Sequence, residues 1–151
     1  MRIGIPKEEI IFNAGQEETR VAVVPISVPK LKKLGFDVLI EKGAGDKSGY
    51  SDSEYEEKGA KLSNLKEVMN SELVASINIP SQVEVMKKGQ MLACIADPFR
   101  FPQRIKKIID AGVTLLSLEV IPRRLSKGQS MDVNSSQDNL SGYKAALMGS
   151  Q

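Results

Sequence analysis

Short runs of apolar, β-branched residues alternate along this chain with polar stretches whose apolar residues recur three and four positions apart. The apolar runs near 2–5, 37–41, 72–77, 90–96 and 113–119 read as strands. Helices are predicted between them. The first spans 27–34, with Val28, Leu31 and Leu34 on one face, Pro29 in its first turn and Gly35 at its end. Ser51-Asp52-Ser53-Glu54 is a capping box that opens a helix to about Lys58, ended by Gly59. Ser63 is predicted to cap a helix reaching Asn70. A second box, Ser81-Gln82-Val83-Glu84, is predicted to open a helix that ends near Gly89. A further helix over 102–111 turns Ile105, Ile108 and Ile109 inward and closes at Gly112. Residues 20–24 read as a short extended run stopped by Pro25. The strands are almost continuously apolar, which predicts burial on both faces. That is the pattern of an open, mostly parallel sheet with helices on each side.

After the last strand the character changes. Residues 122–136 are polar, with Leu125, Met131 and Val133 as their larger apolar members, and read as a long loop. Loops of that length in compact domains often carry function. Ser135 offers an N-cap, and Leu140, Tyr143 and Leu147 follow at helical spacing toward Gln151.

Composition narrows the classes. The 151 residues suffice for one domain with a real core. Apolar residues make up 41% and charged residues 26%, the balance of a globular chain. The net charge is +2 and the basic residues are dispersed among acidic ones, so no phosphate-tracking stripe forms. A single cysteine, Cys94, excludes an internal disulfide. The absence of histidine removes the commonest general base and, with one cysteine, argues against a zinc site. No apolar run approaches the roughly 18 residues of a membrane helix.

Four groups of residues have candidate chemistry. Gly43-Ala44-Gly45 follows a strand and precedes a helix, as in dinucleotide fingerprints, but Gly49 falls one residue late; a structural turn explains it as well. Arg20 could grip a carboxylate or phosphate, or pair with Glu17 or Glu18 beside it in the run Gln16-Glu17-Glu18-Thr19. The 124–135 segment gathers Arg124, Gln129, Asp132 and Ser135 just beyond a strand's carboxyl end, where ligands bind in open α/β sheets. A solvated loop is the plainer alternative. Cys94 and Met91 sit within a strand and read as core.

The opening residues, Met1-Arg-Ile-Gly-Ile-Pro-Lys-Glu8, with Glu18-Thr-Arg20-Val-Ala, Val38-Leu-Ile-Glu-Lys-Gly-Ala-Gly45 and Gly49-Tyr-Ser-Asp52, resemble the start of the alanine dehydrogenase and NAD(P) transhydrogenase superfamily. The run from Gln129 through Ser-Met-Asp132 to Asn139-Leu-Ser-Gly-Tyr143 is similar to the transhydrogenase branch. Alanine dehydrogenases use a lysine at the end of the third core strand and a histidine after the fourth. Asn78 stands at the lysine's place, and the chain has no histidine.

The resemblance implies a flavodoxin-like three-layer α/β/α sandwich, with a mostly parallel sheet of about five strands. It implies hydride transfer between NAD(H) and NADP(H) coupled to proton translocation, through direct approach of two nicotinamides. By the same resemblance, Gln129 contacts the nicotinamide and ribose of NAD(H). Asp132 and Arg124 position the carboxamide and shape the loop, and Ser135 is a further contact. Arg123 competes for the arginine's role, because the family has one basic residue after the proline and this chain has two after Pro122. Residues 1–134 would form the N-terminal domain. Residues 135–151 would begin the helix leading to an NAD-binding Rossmann domain that this chain does not include, so the piece alone is expected to be inactive. The implied partners are an NADP(H)-binding domain, a membrane proton channel and a second copy in a homodimer, with this domain peripheral to the membrane on the bacterial cytoplasmic or organelle matrix side. An alanine-dehydrogenase-like oxidoreductase and a non-catalytic assembly module are the alternatives.

Overall fold

The computed structural model describes residues 1–9 and 17–150. Gln16 and Gln151 lie outside the described residues. Six strands form one sheet: β1 (Arg2–Ile5), β2 (Asp37–Glu41), β3 (Lys61–Ser63), β4 (Leu73–Ala75), β5 (Met91–Cys94) and β6 (Thr114–Ser117). Their order is β3-β2-β1-β4-β5-β6, and each neighbouring pair is parallel. The five anticipated strands run in flavodoxin-like order, and the short β3 at the edge extends them to the doubly wound arrangement. The direction of winding reverses between β1 and β4.

Alternation along β1 sorts the two faces. Ile3 and Ile5 join Val38 and Ile40 of β2 under α1 (Val28–Lys33), with Val28 and Tyr55 in the same buried cluster. Tyr55 belongs to α2 (Asp52–Glu57). Gly4 points the other way, against α3 (Leu65–Met69), where a methyl group would collide with the Val68 carbonyl. On that second face Val74, Leu92 and Cys94 pack with Met69 and with Ile108 of α4 (Pro102–Asp110). Helices therefore lie on both sides of the sheet. The first face is open over its β5–β6 half: Met91 and Ala93 are half-buried and Leu116 is exposed.

Several local expectations are corrected. The Ser51 capping box is present in full, but the helix over 63–70 is capped by Asn64, whose side chain accepts from Glu67 N at 3.0 Å. Ser63 is instead the last residue of β3. The Ser81 box yields a single 3-10 turn, Val83–Val85, with no side-chain cap. Residues 20–24 pair with no strand. Leu34 is exposed, because two successive three-residue steps rotate it by about 120° from Val28. Ile109 is exposed for a related reason: neighbours on a helix point about 100° apart, and Ile108 takes the sheet side.

Candidate functional site

The chain leaving β1 carries Glu8, and the chain leaving β4 carries Asn78, so the two meet where the winding reverses. Open α/β sheets bind their ligands at that point. Glu8 is buried. Its carboxylate accepts from Ile77 N at 2.5 Å and from Asn78 N at 3.2 Å. Burial pushes its pKa up, against the pull of these backbone donors. A cavity of about 330 Å³ opens beside it, lined in part by Lys7, Asn78, Arg100 and Phe101.

Glu18 lies behind Asn78 and is only 4% exposed. Its Oε1 accepts from Arg20 Nε at 2.8 Å and its Oε2 from Arg20 Nη2 at 2.7 Å, a fork-to-fork pair. Asn78 Nδ2 adds a third side-chain donor at 3.2 Å. Arg20's hydrogen bonds hold the Glu18 carboxyl below its ordinary range. Of the two partners anticipated for Arg20, Glu18 is the one found, with its carboxylate inside the protein and not on the surface. Arg20 Nη1 reaches further, to Gln137 Oε1 at 2.9 Å.

The segment expected to be one long loop contains more structure. A short helix α5 (Ser126–Gln129) sits within it, and α6 (Val133–Gly149) begins earlier than anticipated. The N-cap of α6 is Asp132, not Ser135. Asp132 accepts from Asn134 N at 3.0 Å, Ser135 N at 3.1 Å and Ser135 Oγ at 2.6 Å. Those bonds, led by the Ser135 hydroxyl, keep its carboxyl below the usual aspartate range. Arg123 Nε lies 3.2 Å from Asp132 Oδ2. Of the two adjacent arginines, Arg123 is the one paired with Asp132; both are exposed. Gly128 is buried against the Pro122 carbonyl and leaves no room for a side chain.

Gln129 is exposed and its amide makes no side-chain hydrogen bond to a described residue. It can therefore both donate and accept outward. Asn134 Nδ2 donates to Glu119 O at 3.2 Å, which ties α6 to the 3-10 turn Leu118–Val120 that follows β6. No residue of α6 is buried; Leu140, Tyr143 and Leu147 face solvent.

Two other candidates resolve as structural. Gly43 N donates to Asp52 Oδ1 at 2.8 Å, so the Gly43–Gly45 turn is held by the chain's own carboxylate. Cys94 is fully buried, and burial raises its thiol pKa to about 12. Sequence reasoning missed Glu8, Glu18 and Gln137 as members of the site. The available signal was the position of Glu8 just beyond the carboxyl end of the first strand.

Residues 4–141 match the family model described as alanine dehydrogenase/PNT, N-terminal domain. The chain is 34% identical over 149 residues to the NAD(P) transhydrogenase subunit alpha of Haemophilus influenzae, covering 97% of this chain and 28% of the relative. It is 32% identical over 154 residues to the alanine dehydrogenase of Bacillus subtilis, covering 100% of this chain and 38% of that one. The crystal structure of transhydrogenase from Sinorhizobium meliloti superposes with a TM-score of 0.88 at 37% identity, over 97% of this chain and 43% of that one. An L-alanine dehydrogenase structure gives a TM-score of 0.73 at 29% identity, over 84% of this chain and 34% of that one. The chain thus spans well under half the length of these relatives.

Proposed function

Because the chain belongs to the alanine dehydrogenase/PNT N-terminal domain family, we propose that it supplies the nicotinamide-facing loop of a proton-translocating NAD(P) transhydrogenase. The observation that carries this reading is the 122–135 segment. Arg123 and Asp132 close it, the closure fixes α5, and Gln129 is left at its end with an uncommitted amide.

The donor set fits a nicotinamide. A carboxamide needs one acceptor and one donor, and the Gln129 side chain has both. Ser135 Oγ spends its proton on Asp132 and so presents lone pairs outward. Asp132, already engaged by Arg123 and by the first turn of α6, acts as the frame that sets the positions of Gln129 and Ser135. In this assignment Arg123 shares that framing, and Arg124 faces solvent at the loop's edge. Bound NADH would supply the hydride, with NADP+ in a partner domain as its acceptor. The residues here orient the ring and exclude water. Bringing two rings into contact distance contributes on the order of 7–11 kcal/mol toward the barrier.

Further parts of the reading follow the family resemblance. Residues 1–134 would form the N-terminal domain, and 135–151, which carry α6 onward from its start at Val133, would lead toward an NAD-binding domain. The partners are the NADP(H) domain, the membrane proton channel and a second copy of the subunit. Among the described residues no helix is long and apolar enough to cross a membrane. Asn78 is committed to Glu18 and Glu8, which disfavours the amino-acid oxidoreductase alternative, where a lysine is needed.

The test is Gln129→Asn in the complete enzyme, which shortens the amide's reach by one methylene. Hydride transfer between the two nucleotides is expected to fall by roughly 10- to 100-fold. Unchanged transfer removes the loop from the chemistry. Turnover of pyruvate, ammonia and NADH by the complete enzyme would instead favour the alanine dehydrogenase branch.

A further inference from the structure

The loop that bears Gln129 and Asp132 runs directly into α6, and α6 has no buried residue. Only its first two residues, Val133 and Asn134, are half-buried, so beyond them polar tethers at its first turns hold its direction. One is Asn134 Nδ2 to Glu119 O at 3.2 Å. The other is Arg20 Nη1 to Gln137 Oε1 at 2.9 Å. The second tether is the stiffer, because Arg20 is itself gripped on its other edge by a buried carboxylate. Glu18 takes two of its nitrogens, at 2.8 and 2.7 Å, and Asn78 fixes Glu18 in turn. Asn78 N is bonded to Glu8 at the carboxyl end of β1. A continuous hydrogen-bonded path thus runs from the place where the sheet reverses its winding to the fifth residue of α6. It passes through Glu8, Asn78, Glu18, Arg20 and Gln137.

We propose that Arg20 is a positioning residue. Held by Glu18, it sets the angle at which α6 leaves the sheet, and through α6 it sets the placement of Asp132 and Gln129. The claim rests on the reading of that loop given above. Arg20 touches no nucleotide in this role. Each of its three nitrogens already donates to a protein group, Nε and Nη2 to Glu18 and Nη1 to Gln137.

Gln137→Leu removes the outer end of the path and keeps the fold, since Gln137 is exposed on a helix. Gln137→Glu places an anion against the same guanidinium and restores the contact. Arg20→Gln removes the path's centre. Amide hydrogen exchange of the 151-residue chain is read first, over residues 133–139. Gln137→Leu and Arg20→Gln are expected to raise exchange there about tenfold, and Gln137→Glu to leave it as in the parent. Equal exchange in all of them overturns the proposal. The same variants in the complete enzyme are then assayed for hydride transfer. The expected result is a fall in kcat of about tenfold for Gln137→Leu with KM for NADH little changed, and recovery in Gln137→Glu. Loosened exchange with unaltered kcat overturns the positioning role. Loosened exchange in an enzyme whose parent form transfers no hydride upholds the tether and sinks the proposed function instead.

Discussion

Arg123 and Asp132 meet across α5, with Nε and Oδ2 3.2 Å apart. The pair spans the segment that contains Gly128, which is buried against the Pro122 carbonyl. If this closure sets the geometry of the loop, the two adjacent arginines are unequal. Arg123→Ala is expected to lower hydride transfer in the complete enzyme by about tenfold or more, while Arg124→Ala changes it less than about twofold. Steady-state assays of both variants decide it. The reverse order would restore the assignment made from spacing.

Gly128→Ala tests the same segment from inside. The added methyl group would meet the Pro122 carbonyl, so either α5 or the Pro122 turn must shift. Overpacking of this kind costs about 1–3 kcal/mol where it must be absorbed. The expected signature is local, with raised amide exchange over 122–132 and a small change in thermal midpoint.

Gly4→Ala acts on the core. The new Cβ would be driven into the Val68 carbonyl and crowd Ser71, both fixed against β1. A loss of about 1–3 kcal/mol is expected, or a midpoint lowered by roughly 2–12 °C for a chain of this size. A variant as stable as the parent would show that α3 can withdraw from the sheet without penalty.

Glu18 and Glu8 make opposite contributions to stability with pH. The Glu18 pKa is lowered in the fold, chiefly by Arg20, so its contribution is present above its ordinary value of 4.5 and is lost as pH falls through the folded value. The Glu8 pKa is raised, chiefly by burial, so its contribution is present below 4.5 and is lost as pH rises through the folded value. Glu18→Gln removes the first effect and leaves the burial that dominates the second. It is expected to cost about 1.5–3 kcal/mol at pH 7, the usual worth of hydrogen bonds to a charged group. Urea unfolding from pH 3 to 7 should show a flatter acid limb than the parent. An acid limb as steep as the parent's would mean that Glu18 does not govern it.

Titration of NADH against the 151-residue chain should give weak binding or none, because the residues assigned to it face only the nicotinamide end. Micromolar affinity by fluorescence or calorimetry would require an adenosine site within this chain.

The sheet was legible because its strands are short apolar runs with turn residues between them, and the five expected strands lie within the runs that predicted them, with β4, β5 and β6 shorter than their runs. β3 was not, since Lys61-Leu62-Ser63 has one apolar residue and forms only because β2 offers an open edge. The cap at Asn64 was hidden by the neighbouring Ser63, an equally good cap by residue type; the strand claims Ser63 and leaves the role to Asn64. The Ser81 box stopped at one turn because Val83 and Met86 are followed by Lys87-Lys88-Gly89, so no further apolar residue sustains a second turn. In the loop, residue types pointed to Gln129, Asp132 and Ser135, but which arginine faces Asp132 depends on the fold of α5. The Glu8–Glu18 constellation joins residues 60 or more positions from Asn78, a relation that only the sheet topology brings about.

A 17-residue helix anchored at one end behaves as a lever. At about 1.5 Å per residue its length is roughly 25 Å, so a 10° swing at the anchored turn moves its far end by about 4 Å. A rearrangement of one amide beside Arg20 would thus be magnified into a displacement comparable to the gap across which two stacked rings exchange a hydride.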